Sequence, residues 1–124
     1  MAPLRVTGAS MKLVYKIMGA NDWAEARRTG YIPAADVDRR DGYIHLSAED
    51  QVLETARLYF AGRKDLVAAA FALEDLGDAL KWEASRGGAL FPHFYGDLKA
   101  SGATRALHLV DAGGGAFAFG ESVK

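Results

Sequence analysis

Residues 12–18, Lys-Leu-Val-Tyr-Lys-Ile-Met, form a short β-prone stretch with Leu13, Tyr15 and Ile17 on one face, which predicts a first strand. A helix is expected over residues 22–29. Asp22 with Glu25 three positions later forms a capping pair, Trp23 and Ala26 face inward, and Gly30 supplies the stop. Residues 31–42, with Pro33 and the run Asp36-Val37-Asp38-Arg39-Arg40-Asp41, keep neither period and read as a surface loop. A strand comes next over residues 43–47, then a helix over about 48–61. Ser47 is its expected N-cap with Asp50 at the third position, and Val52, Leu53, Ala56, Tyr59 and Phe60 form its apolar stripe. Residues 66–73 are an apolar run that suits a buried strand or a helix, with length and position favouring the strand, and residues 74–79 a turn or a single helical loop. Residues 80–83 and 90–95 flank Ser85-Arg86-Gly87-Gly88 as hairpin material, and Gly113-Gly114-Gly115 joins two last strands, near 105–111 and 116–119. Strand, helix, strand, helix and then mainly strands predict an α+β fold with a mixed or antiparallel sheet, not a repeating βαβ wind.

The 124 residues suffice for one domain. Residues 1–10 have no period and precede a second methionine, Met11, so they read as a leader, a tag remnant or an upstream start, and residues 11–124 as one α+β domain. Half the residues are apolar and a quarter charged, the balance of a folded globular chain. A net charge of -1 supplies no basic field for nucleic acid or an anionic membrane, and no apolar run reaches the length of a membrane span. Absence of cysteine removes disulfides, thiolate zinc sites and thiol nucleophiles together, and points to a reducing cytoplasm.

Several motifs dissolve in context. Gly113-Gly114-Gly115-Ala116-Phe117-Ala118 has dinucleotide-motif spacing, yet the residues after Gly115 alternate like a strand instead of opening a helix. Asp36 and Asp38 resemble the start of a calcium loop, but Arg40 stands where an oxygen ligand is needed, so a solvated loop accounts for them better. Glu74, Asp75 and Asp78 read as a charged turn. Ser47 lacks the glycines of a nucleophile elbow. None of His45, His93 and His108 lies within three to five residues of another, so no local histidine pair exists and no metal site is assigned.

The chemistry gathers elsewhere. Alternation puts Tyr43, His45 and Ser47 on one face of their strand, with Ile44 and Leu46 on the other. A second cluster holds Trp82 and Glu83 before the hairpin turn, then Phe91, His93 and Tyr95 on a shared face after it. Two histidines among aromatics suit a site that stacks a planar ring and bonds its sugar hydroxyls, and they equally suit a core with a half-exposed imidazole.

Val14-Tyr15-Lys16-Ile17, Trp23, Asp41-Gly42-Tyr43-Ile44-His45-Leu46-Ser47, Lys81-Trp82-Glu83 and Phe91-Pro92-His93-Phe94-Tyr95-Gly96 together resemble the bacterial family called domain of unknown function 952. The resemblance implies an ADP-ribosyltransferase-like fold, two twisted sheets around a cleft, with the two main helices in the N-terminal half. It implies that Lys16, His45, Ser47, His93 and Tyr95 gather there, with NAD or a related nucleotide as the cofactor to expect. Such transferases often present a histidine on the first strand, where this chain has Lys16; Glu83 matches their late catalytic glutamate by residue type alone.

The first expectation is therefore a cleft for a nucleotide or another phosphorylated ribosyl ligand, with ADP-ribosyl or phosphoryl transfer as the reaction. His45 and His93 would be the acid–base candidates, Lys16 would offset phosphate charge, Ser47 would contact the ligand, and Trp82 or Tyr95 would stack its base. A non-catalytic binding module is the second expectation, and a small hydrolase or metal-assisted enzyme the third. Under the first two, the histidines should converge on one concave surface. Their replacement should cost little stability, unlike replacement of Leu53 or Phe60 in the expected core.

Overall fold

The computed structural model describes residues 12–123, so the residues read as a leader lie outside it. The strands are β1 (Leu13–Gly19), β2 (Ile44–His45), β3 (Ser47–Ala48), β4 (Leu66–Ala72), β5 (Leu80–Ala84), β6 (Leu90–Phe94), β7 (Ala103–Gly113) and β8 (Ala116–Ser122). The helices are α1 (Ala20–Thr29), α2 (Asp36–Asp41), α3 (Val52–Tyr59) and the single turn α4 (Leu73–Leu76). A five-stranded sheet runs β3-β1-β4-β7-β8 and a three-stranded sheet β2-β6-β5, and every pairing is antiparallel.

β4 explains the large sheet. All seven of its residues, Leu-Val-Ala-Ala-Ala-Phe-Ala, are buried, as a central strand covered on both faces requires. On one face Val67, Ala69 and Phe71 join Val14, Met18, Ala26 of α1, and Ile44, Leu46 and Phe94 from the small sheet and its approach. On the other, Leu66, Ala68 and Ala70 join Tyr15, Ile17, Leu109, Phe117 and, from α3, Val52 and Ala56. The large sheet is thus sandwiched between α3 and a layer made of α1 and the small sheet.

Three local expectations are corrected. The charged run 36–41 is a helix, not a solvated loop. Gly42 ends it in the left-handed region (φ 86°), and Asp38 faces inward and accepts a hydrogen bond from the Ala35 amide (2.9 Å). Second, α3 starts at Val52, so Ser47 is not its cap; Ser47 pairs with Tyr15 across β3 and β1 and is buried. Gln51 takes over the turn, its side chain accepting from the Ala48 amide (2.9 Å) and donating to the Leu90 carbonyl (2.8 Å). Third, Leu53 and Phe60 are only partly buried and Tyr59 is 64% exposed, because α3 turns just Val52 and Ala56 fully onto the sheet.

The stretch 43–47 behaves as one alternating strand but serves two sheets. The chain leaves the small sheet after His45 and enters the large one at Ser47. Between them, the Leu46 amide donates to the Pro92 carbonyl (3.0 Å).

Candidate functional site

That handover opens a cavity of about 470 Å³, lined by residues of both sheets together with α2, α3 and the segment after α3. Tyr43, His45, Ser47, Phe91 and His93 are in its wall, and so is Lys16. The histidine rings lie 5.4 Å apart, centroid to centroid, and share one concave surface because β2 and β6 pair His45 directly with His93. Tyr43 stacks on His93 (4.1 Å, 24° between planes) and tilts against His45 (4.6 Å) and Tyr95 (5.1 Å).

Each imidazole is held by carboxylate. His93, 2% exposed, points Nδ1 at Glu83 Oε1 (2.7 Å), and the Tyr95 hydroxyl donates to the same oxygen (2.8 Å). Those two hydrogen bonds, His93's the larger, hold the Glu83 carboxyl below its usual value; donating to Glu83 pushes the Tyr95 phenol up to about 12. Nε2 of His93 is buried with no hydrogen-bond partner, alone in this among the side-chain nitrogens and oxygens of the described residues.

His45 sits between two aspartates, with Nδ1 2.8 Å from Asp38 Oδ1 and Nε2 3.0 Å from Asp41 Oδ2. Carboxylates only accept, so both contacts are hydrogen bonds together only when the ring carries both protons. Asp38 is the hub. Its side chain, 1% exposed, also accepts from the His45 amide (3.0 Å), the Ala35 amide and Lys16 Nζ (2.8 Å). Burial works to raise this carboxyl, but the charge and hydrogen bond of Lys16 and the two amides outweigh it, leaving it below its usual value. The Lys16 ammonium also donates to the His45 carbonyl (3.3 Å), so its charge is neutralised inside the wall.

His45, His93, Lys16 and Ser47 therefore share the cavity wall, while Glu83 and Tyr95 are joined to His93 by hydrogen bonds but are not among the lining residues; the Ser47 hydroxyl donates to Thr55 Oγ1 (3.4 Å). Trp82 does not join them. It lies opposite Pro92 in the β5–β6 pair, on the face away from Glu83 and His93, is 42% exposed and is outside the cavity wall. Sequence reasoning missed Asp38 and Arg63. Arg63 lines the cavity with its guanidinium 5.6 Å from the Phe60 ring centre, and among the described residues no carboxylate forms an ion pair with it. Arg40, also in the wall, is paired with Asp41 (2.9 Å), and Asp22 adds a carboxylate to the lining. Among the described residues, no three His, Asp or Glu side chains are arranged to hold a metal ion. No helix there is long and apolar enough to cross a membrane.

Fold and cavity define an α+β protein with two antiparallel sheets and a histidine-bearing pocket where they meet. The chain belongs to the family described as "Protein of unknown function (DUF952)", matched over residues 17–106. It is similar to the crystal structure of protein CC0527 from Caulobacter crescentus, with 45% identity and a TM-score of 0.81 over 86% of this chain and 93% of that one. The solution NMR structure of CC0527 gives 46% identity and a TM-score of 0.76 over 84% and 90%. None of the curated proteins matches the chain.

Proposed function

We propose that the cavity binds a nucleotide or another phosphorylated ribosyl ligand and that His93 handles a proton on it. The observation that carries this reading is the buried, unpartnered Nε2 of a carboxylate-held histidine in a cavity wall, with a second histidine ring 5.4 Å away. A volume near 470 Å³ suits a ligand of nucleotide size. Kinship with ADP-ribosyltransferase-like folds is part of the proposal, supported by two antiparallel sheets meeting at the pocket, and it makes NAD or ADP-ribose the first ligands to try. A cytoplasmic setting is also part of it, in keeping with a cysteine-free sequence.

Two roles change. With Lys16 neutralised by Asp38, the phosphate contact passes to Arg63, whose guanidinium suits phosphate oxygens. With Trp82 on the far face and Tyr95 outside the lining, base stacking falls to Tyr43. In the proposed reaction His93 Nε2 takes the proton of an attacking hydroxyl. A bond forms from that oxygen to the ribosyl or phosphoryl centre, and the leaving group departs with its electron pair and is protonated by solvent.

The second reading is a module that binds without turnover. It is favoured by the engagement of both His45 nitrogens with aspartates, which leaves one imidazole nitrogen for chemistry. Thermal unfolding with NAD, ADP-ribose, nucleoside monophosphates and 2′-phosphorylated ribonucleotides tests both. A ligand at 100 times its Kd adds about 2.7 kcal/mol. A shift with consumption of the ligand supports the enzyme, a shift without consumption supports the module, and no shift with any of these compounds rejects the nucleotide cavity.

A further inference from the structure

We propose that Glu83 and Tyr95 are positioning residues that keep the proton of neutral His93 on Nδ1, so that Nε2 presents a bare lone pair to the ligand. The proton's placement stands on geometry alone; only the identity of the group that the lone pair receives rests on the proposed nucleotide cavity. A carboxylate has no proton to give, so the 2.7 Å contact between His93 Nδ1 and Glu83 Oε1 is a hydrogen bond only when Nδ1 carries the hydrogen. Tyr95 closes the arrangement by donating its hydroxyl to the same Oε1 at 2.8 Å, which fixes a glutamate that is otherwise 42% exposed. Tyr43, stacked at 4.1 Å, fixes the plane of the ring.

Burial supplies the other constraint. Once Nδ1 holds the hydrogen, neutral imidazole has only an acceptor at Nε2, and that atom is buried without a partner. A donor from the ligand, a hydroxyl above all, satisfies it. A ring of the opposite tautomer would bury an unpaired N–H and set its lone pair against the carboxylate. His45 is different, because both its nitrogens face aspartates. The two histidines therefore divide the work: His45 ties α2 to β2, and His93 offers the free acceptor.

Long-range proton–nitrogen NMR on the ¹⁵N-labelled full chain, at high pH where the ring is neutral, reads the tautomer directly and without any nucleotide present. Wild type should show His93 with a protonated Nδ1 and an unprotonated Nε2. Glu83→Ala should shift the population toward the Nε2–H form, Tyr95→Phe should shift it less, and Glu83→Gln, whose carbonyl oxygen still accepts, should restore the wild-type pattern. A wild-type ring protonated on Nε2, or a ratio unchanged in Glu83→Ala, overturns the proposal. The wild-type spectrum decides the proton's position even if Glu83→Ala fails to fold. A positive result beside an absent nucleotide shift would leave the clamp standing and reject the ligand.

Discussion

Lys16 Nζ lies 2.8 Å from Asp38 Oδ2, and the two side chains are 6% and 1% exposed, so an ion pair is closed inside the cavity wall. Removing one member leaves the other charge buried, a change that generally costs about 3 to 5 kcal/mol. Lys16→Met should therefore lower the unfolding free energy by about that amount in urea titrations. Lys16→Met combined with Asp38→Asn should recover part of the loss, because the neutral amide needs no counter-charge. A loss in Lys16→Met as small as that of an exposed substitution would mean the pair is open to water.

The same pair sets a pH dependence. The Asp38 carboxyl is held below its usual value, so its contribution to stability is complete above the unfolded value of about 3.9 and is lost as pH falls through the lower folded value. Wild type should weaken progressively below about pH 4. Asp38→Asn, less stable at neutral pH, should show a shallower acid limb, measured as urea midpoints from pH 7 to pH 3. Parallel acid limbs in the two proteins would count against Asp38 as the titrating group.

Tyr95 carries a spectroscopic prediction. Its phenol, pushed up to about 12 chiefly by its hydrogen bond to Glu83, should ionise well above the ordinary phenol value. In Glu83→Ala it should return toward the ordinary value of about 10. Ultraviolet tyrosinate titration of that variant against Tyr95→Phe isolates the group.

How much of this was legible in the sequence depends on how far apart the partners are. The apolar run of β4, the hairpin β5–β6 and the glycine turn before β8 are local patterns, and they appear in the fold within a few residues of where the sequence places them. The shared face of Tyr43, His45 and Ser47 is a period of two, and alternation survives although the chain changes sheets at Leu46. Asp38 was illegible because a six-residue helix is too short to show a period and its charge partner is 22 residues away. Arg63 was illegible for a similar reason. A lone arginine after α3 reads as surface until the fold sets it against a cavity whose other cations are paired.

Arg63→Gln separates that cation from Lys16. Arg63 is exposed and contacts the Phe60 ring, so its loss should change unfolding by no more than about 0.5 kcal/mol, as surface substitutions usually do. Any thermal shift produced by ADP-ribose or a nucleoside monophosphate should nevertheless shrink or vanish. A shift that survives Arg63→Gln would place the phosphate elsewhere.

His93 is almost wholly buried, and His45 holds Asp38 and Asp41, so the idea that either histidine is a lightly packed cleft residue needs revision. His45→Ala removes a donor from the buried Asp38 carboxylate, which should cost about 1 to 3 kcal/mol. His93→Ala empties a stacked position between Tyr43 and the β5–β6 face, and should cost a comparable amount through the cavity it leaves. Phe71→Ala, at 1% exposure in the central strand, should cost more, about 3 to 5 kcal/mol, and Leu53→Ala, only partly buried, less than Phe71→Ala. His93→Gln then separates packing from chemistry, since its amide fills much of the ring's place but offers no imidazole lone pair. If His93 is the proton-handling group, His93→Gln should keep most of the thermal stability lost in His93→Ala while abolishing consumption of whichever ligand the wild type turns over. Retention of turnover in His93→Gln would move the chemistry off this residue.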